Sequence, residues 1–263
     1  MADSGTAQVQ GELWGARSAD WAEVQEAMTR PLYESVLERL DLGPDTMVLD
    51  IGCGAGLFLS LAATRGADVH GIDAAPGMLA VARERVPQGT FQPGEIEELP
   101  YGERTFDVVT GFNSFQFANE PANAVREASR VAREDAPVVV AVWGEPQDCD
   151  AAGYLSAVGS VMPPPPPGSP GPFALSEKAA LEGLVDQAGL DLQLVEDVVC
   201  PWDYPDLSTA LRGLLSAGPA TLAIQHSGEP AVLEAATRAL EPFKTTGGGY
   251  HLENVFRYAI STA

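Results

Sequence analysis

The residues best suited to chemistry sit in one loop. Val48-Leu49-Asp50-Ile51 is a short apolar run that ends in Gly52-Cys53-Gly54-Ala55-Gly56, and a helical pattern begins at Leu57. Glycines after a strand permit a tight turn and let a ligand approach the backbone, and the helix beyond offers free N–H groups. The dinucleotide pattern G-x-G-x-x-G is missed, because its third glycine position is Leu57 and Gly56 comes one residue early. A phosphate loop of the G-x-x-x-x-G-K-[ST] type is absent too. Asp73 closes the next apolar run about 20 residues on, where a carboxylate can accept from two ribose hydroxyls.

Other reactive side chains are few. The three histidines are His70, His226 and His251. His70 lies inside a strand pattern and reads as structural. His226 and His251 are the candidate general bases, to be weighed against surface or packing roles. Cys53, Cys149 and Cys200 are too scattered for a disulfide framework or a zinc site, so no metal is expected.

The elements that must position these residues alternate along the chain. Strand patterns fall at 47–51, 68–73, 90–92, 106–111, 136–143, 193–199 and 250–260, with helices at 57–65, 76–85, 121–132 and 176–188, the last capped by Ser176. Strands alternating with helices every 20–30 residues imply an α/β protein with a doubly wound parallel sheet. Residues 1–11 read as a frayed tail, and 18–40 as a helix interrupted by Pro31. Pro163–Pro167 should form a short polyproline II segment. Residues 206–242 are helical with glycine and proline breaks. The reading is a single domain of 1–263 with an N-terminal helical lid at 1–40 and substrate-capping segments at 145–175 and 201–248.

Taken together, Asp50–Gly56, Gly71-Ile72-Asp73, Gly94-Glu95-Ile96-Glu97-Glu98-Leu99-Pro100-Tyr101 and Phe106-Asp107-Val108-Val109 resemble class I S-adenosylmethionine-dependent methyltransferases. The resemblance covers about residues 46–145 and is nearest to the small-molecule branch that includes ubiquinone and menaquinone biosynthesis methyltransferases. Gly249–Tyr258 is similar to the final strand of bacterial members. It implies a Rossmann-like sheet of seven strands, mostly parallel, with an antiparallel last strand. The cofactor implied is S-adenosylmethionine, leaving as S-adenosylhomocysteine.

The resemblance also implies a site. Gly52, Cys53 and Gly54 would pass their backbone along the methionine part of the cofactor, with Asp50 beneath its ammonium. Asp73 would bind the ribose, and Ala74 and Met78 would flank the adenine. Glu95 stands where the family has Asp and would accept from the adenine amino group, with the Ile96 N–H directed at the ring. Asn113 would face the sulfonium region. Trp14, Arg17 and Trp21 would cover the cofactor from the N-terminal segment. Gln116 and Phe117 would face the substrate.

Composition narrows the acceptor. The 263 residues carry 37 acids against 15 bases, a formal charge of −22, which opposes a phosphate backbone and an anionic membrane surface. Asn113-Ser114-Phe115-Gln116 lacks the Pro-Pro-aromatic motif of amino-methylating DNA enzymes, and Cys200-Pro201 reverses the Pro-Cys order of cytosine-C5 enzymes. No apolar run approaches the roughly 20 residues of a membrane span, and the first residues lack a basic segment followed by an apolar one, so a cytoplasmic protein is expected. Apolar and aromatic side chains in the capping segments, among them Tyr154, Leu155, Trp202 and Leu214, can enclose a hydrophobic pocket. The expected partner is a small-molecule substrate, methylated on an O or C atom by in-line displacement, with no nucleic acid and no membrane; the oligomeric state is open. Three rivals stand beside it: a related enzyme using the cofactor for cyclisation or decarboxylation, a non-catalytic cofactor-binding protein, and a nicotinamide dehydrogenase, which Leu57 in place of the third glycine opposes.

Overall fold

In the computed structural model, which describes residues 5–163 and 171–263, the chain begins with α1 (Ala7–Gly15) and a short α2 (Ser18–Asp20). A π-helical turn (Trp21–Gln25), a 3-10 turn (Glu26–Thr29) and α3 (Arg30–Arg39) follow. The first half of the sheet is β1 (Met47–Ile51), α4 (Leu57–Thr64), β2 (Asp68–Asp73), α5 (Pro76–Arg85) and β3 (Thr90–Pro93). The second half is β4 (Val108–Phe112), α6 (Pro121–Val131), β5 (Pro137–Trp143), α7 (Ala151–Ser160), α8 (Lys178–Gln187) and β6 (Asp191–Tyr204). Then come α9 (Leu207–Leu214), α10 (Gly218–Ser227), α11 (Glu229–Leu240) and β7 (Tyr250–Thr262).

The seven strands form one sheet in the order β3-β2-β1-β4-β5-β7-β6. β1 pairs in parallel with β2 and β4, and β2 with β3 and β4 with β5 likewise. β7 is antiparallel to both β5 and β6. The central strands read as apolar runs because helices cover both faces: every residue of β4 is buried, and so are Val138–Val142 of β5. α6 shows how a helix meets them, turning Ala124, Val125, Ala128 and Val131 at helical spacing onto the sheet. Strand order reverses between β1 and β4, and a ligand crevice is expected outside the carboxyl ends of strands at that point.

Several boundaries differ from the sequence expectation. The N-terminal tail is helical from Ala7, held at its start by Ala7 N–H donating to Glu95 Oε2 at 2.8 Å. Pro31 sits in the first turn of α3 instead of interrupting a helix, a position where its missing N–H costs nothing. The fourth strand starts at Val108, and Phe106 makes only an isolated bridge to Ala132. Ser176 does not cap α8; Glu177 is the flanking residue, and Ser176 Oγ donates back to Phe173 O at 2.8 Å. β6 runs on to Tyr204, so 201–204, expected in a cap, is sheet edge; Pro201 is tolerated there because edge positions need no ladder donor. Most of the proline run, 164–167, lies outside the described residues.

Candidate active site

The loop after β1 is shaped by its contacts. Gly52 has φ +72°, and a Cβ on it would lie 2.4 Å from Ser114 Cβ, so both conformation and space demand glycine. Gly52 N–H and Cys53 N–H both donate to Ile72 O, at 2.8 and 3.0 Å, tying the loop to β2. Asp73 at the end of β2 adds a second tie: Oδ2 accepts from Gly54 N–H and Oδ1 from Ala75 N–H, each at 2.8 Å. The carboxylate expected to bind ribose thus also holds the loop against the start of α5.

Three carboxylates lie close to this loop, Asp50 and Glu26 buried and Asp73 half-buried. Asp50 ends β1 beneath it, accepting from Thr110 Oγ1 at 2.7 Å. Burial, with smaller repulsion from Asp73 and Glu26, outweighs that hydrogen bond and pushes its carboxyl up to about 8. Burial also raises Asp73, against the N–H groups of Ala75, Gly54 and Ala74. Glu26, on the 3-10 turn, is raised by burial as well, although Arg85 opposes the shift. Glu26 Oε1 accepts from Leu57 N–H at 3.2 Å, at the head of α4, and Oε2 pairs with Arg85. Of the three acids, only Glu26 has an ion-pair partner among the described residues.

Two cavities open beside the loop. The first, about 670 Å³, is lined by Gly52, Gly54, Asp73, Ala74, Met78, Glu95, Ile96, Asn113, Trp14 and Trp21, among others. The second, about 640 Å³, lies beyond it and takes its lining from Gln25, Gln116, Trp143, Tyr154, Leu155, Pro172, Trp202, Leu214, Pro219 and Phe256, among others. Trp14, Trp21, Asn113 and Phe117 line both. Trp14 stands edge-on to Trp21, centroids 5.1 Å apart, and to Phe117 at 5.6 Å. Asn113 follows β4 with φ +51°, a conformation that asparagine adopts more readily than most residues.

The structure gathers most of the expected residues onto these walls, but not all. Asp50 and Cys53 lie buried behind the loop, and burial raises the Cys53 thiol. Arg17 turns away and pairs with Glu229 at 2.7 Å. Glu95 is engaged within the protein: Oε2 with Ala7 N–H, and Oε1 with Ile96 N–H at 2.8 Å, so the Ile96 donor is engaged as well. His226 and His251 line neither cavity. Both are exposed, on α10 and β7, and His251 is raised by its hydrogen bond with Asp203 at 2.7 Å. Sequence reasoning passed over Glu26, Ser114, Gln10 and Trp143. For Glu26 the signal existed only in space, since its partners are 31 and 59 residues away.

Among the described residues no group of three or more His, Cys, Asp or Glu converges to hold a metal. No helix there is long and apolar enough to cross a membrane.

A family model described as a methyltransferase domain matches residues 49–140. The chain is 32% identical over 190 residues to the methyltransferase GfsG of Streptomyces halstedii, covering 67% of this chain and 63% of that protein. It is 33% identical over 118 residues to the demethylmenaquinone methyltransferase of Renibacterium salmoninarum, covering 45% and 50%. The chain therefore spans about half to under two thirds of the length of these curated relatives. Among solved structures, the YcgJ protein of Bacillus subtilis aligns with a TM-score of 0.57 at 21% identity, over 88% of this chain and 98% of that one, a likeness of fold.

Proposed function

This chain is a class I S-adenosylmethionine-dependent methyltransferase by domain and fold, and from that premise we propose that it moves a methyl group from S-adenosylmethionine to an oxygen or carbon atom of a small, largely apolar metabolite. One observation carries the reading: the cavity beside the glycine loop and the aromatic cavity beyond it share a wall of Trp14, Trp21, Asn113 and Phe117. Donor and acceptor held in adjoining chambers meet at that wall, and orientation of this kind is the main contribution a protein can make to a displacement at an activated carbon.

The first cavity suits the cofactor. Gly52 bares backbone to the ligand, and Ser114 Oγ, buried on the same wall, has no protein partner. Burial holds the Asp50 and Asp73 carboxyls above the usual range, and a ligand carrying two cationic groups would draw them into the charged form, while the protein's charge of −22 adds a weak general attraction. In this reading Gly52, Cys53 and Gly54 line the methionine part through their backbone, Asp50 stabilises the ammonium from beneath, and Asp73 receives the ribose hydroxyls. Ala74 and Met78 flank the adenine, with Glu95 and Ile96 at its polar edge. Bound S-adenosylmethionine supplies a methyl carbon already activated by a sulfonium. The faces of Trp14 and Trp21 and the Asn113 side chain stabilise positive charge at the shared wall. Arg17 acts at a distance, fastening the turn between α1 and α2 to α11 through Glu229.

The second cavity suits the acceptor, with Gln116 and Phe117 facing it. Among its described lining residues the only ionisable side chain is Tyr154, whose hydroxyl donates to Leu214 O at 2.8 Å and is raised by burial. The protein therefore positions the nucleophile, and the acceptor's proton passes to solvent water at the mouth of the cavity as the methyl group is transferred. His226 and His251 take no part in this reading. The segments 145–163, 171–175 and 205–248 act as acceptor caps and 5–40 as the cofactor lid of one domain. A phosphate backbone is a poor partner for the charge, and free buried Cys53, Cys149 and Cys200 suit a reducing cytoplasm.

The test is incubation with methyl-labelled S-adenosylmethionine and a small-molecule extract, followed by solvent partition. Label in an organic-soluble product supports the reading. Label in nucleic acid or protein, or turnover with no label in any product, refutes it.

A further inference from the structure

All four tryptophans of the chain, Trp14, Trp21, Trp143 and Trp202, line the second cavity, together with Phe117, Tyr154 and Phe256. Trp143 anchors the cluster, packing on Phe256 at 4.5 Å and on Trp202 at 5.6 Å between centroids. Among the described residues of this lining there is no carboxylate, ammonium, guanidinium, imidazole or thiol. A fixed charge deep in this chamber would lose its water and gain no counter-ion.

Two lining residues leave hydrogen-bonding capacity unused. Gln116 is 6% exposed and Trp202 is 5% exposed. Gln116 Nε2 donates to Asn113 Oδ1 at 3.4 Å, while Gln116 Oε1 has no partner. Trp202 Nε1–H has none either. Buried polar atoms are almost always paired, and each one left open is costly. Both residues lie outside the first cavity, so its ligand does not satisfy them. One is an acceptor and the other a donor, on two residues that line the same chamber.

Building on the acceptor chamber assigned above, we propose that Gln116 and Trp202 are its specificity pair: the acceptor is an uncharged, planar, conjugated compound that donates one hydrogen bond to Gln116 Oε1 and accepts one from Trp202 Nε1. A carbonyl or ether oxygen meets the indole, and a hydroxyl or N–H meets the amide. The aromatic walls set the planar shape, and the lack of lining charge rejects carboxylates, phosphates and amines.

The test uses 6-hydroxy-1-tetralone, which carries both groups on a small conjugated frame, in the presence of saturating S-adenosylhomocysteine. Three analogues probe the features: 6-methoxy-1-tetralone lacks the donor, 5,6,7,8-tetrahydro-2-naphthol lacks the carbonyl, and 1-oxotetralin-6-carboxylate replaces the donor with a negative charge. Binding is read by calorimetry and by quenching of tryptophan emission, which reports on this chamber because every tryptophan lines it. The hydroxytetralone should bind about tenfold more tightly than each analogue, the worth of one well-made buried hydrogen bond. In Gln116→Leu the hydroxy and methoxy compounds should bind alike. In Trp202→Phe the carbonyl should lose its advantage. S-adenosylhomocysteine affinity, unchanged in both variants, certifies that they fold. Equal or tighter binding of the carboxylate, full parental discrimination in both variants, or no binding of the hydroxytetralone at millimolar concentration overturns the assignment. Failure of the parent to bind S-adenosylhomocysteine instead refutes the cofactor reading beneath it.

Discussion

Replacing Asp50 by asparagine should make the ligand-free protein more stable and its hold on the cofactor weaker. The Asp50 carboxyl is pushed up to about 8 by burial at the end of β1, whereas in an unfolded chain it titrates near ~3.9. Between those two values the folded protein keeps a proton that the unfolded chain has released. The group's contribution is therefore most favourable below about pH 4, worsens by about 1.4 kcal/mol per pH unit as the pH rises, and levels off above about pH 8. Near pH 7 the cost is about 4 kcal/mol, and near pH 5 it is about 1–2 kcal/mol, by the same linkage. An amide of the same shape does not titrate and can still accept from Thr110 Oγ1. Asp50→Asn should thus melt roughly 5–10 °C higher near pH 7 and gain much less near pH 5. Thermal melts followed by circular dichroism at both pH values measure this. Titration with S-adenosylhomocysteine should show affinity lowered about tenfold or more, since the ligand ammonium loses a buried carboxylate. A variant that melts with the parent or below it near pH 7, or binds the ligand as tightly, would refute the reasoning.

Further expectations concern the lid and the histidines. Glu26→Ala strands Arg85 and bares the head of α4, so urea denaturation should show a loss of about 3–5 kcal/mol; Glu26→Gln, which can still accept from Leu57 N–H, should lose less. Arg212 pairs with Asp20 and Glu23 on the lid, all of them partly exposed. Arg212→Ala should cost under about 1 kcal/mol of stability, yet speed S-adenosylhomocysteine release severalfold in stopped flow; an unchanged rate means the lid does not gate that site. His226→Gln and His251→Gln should each keep methyl transfer within about twofold, because neither imidazole lines a cavity; a tenfold loss in either would bring a histidine back into the chemistry.

The parallel core was legible because its signals are local. β1, β4 and β5 are apolar runs bounded by turn residues, and Gly52 and Asp73 follow their strands at spacings fixed by a strand-loop-helix unit. What escaped depends on distant contacts. α1 has little apolar periodicity of its own, and its start is held by Glu95, 88 residues away. β6 alternates weakly and contains Pro201, so its last turn of chain looked like a cap; its thirteen-position pairing with β7 settles it as sheet. Gln116 and Trp202 are 86 positions apart in sequence, and nothing in either neighbourhood marks the unpaired atoms they bring to one chamber.

Under the proposed function, the common wall sets out how this protein can diversify. Trp14, Trp21, Asn113 and Phe117 serve both chambers, so a change at any of them is felt by two ligands at once and is heavily constrained. Leu155, Pro172, Leu214, Ala217 and Pro219 touch only the second chamber and come from α7, the chain before α8, α9 and the chain that leads into and opens α10. Those segments amount to an exchangeable cassette. Drift or directed evolution confined to them can trade one acceptor for another while the cofactor chamber, and the rate it supports, stays as it is.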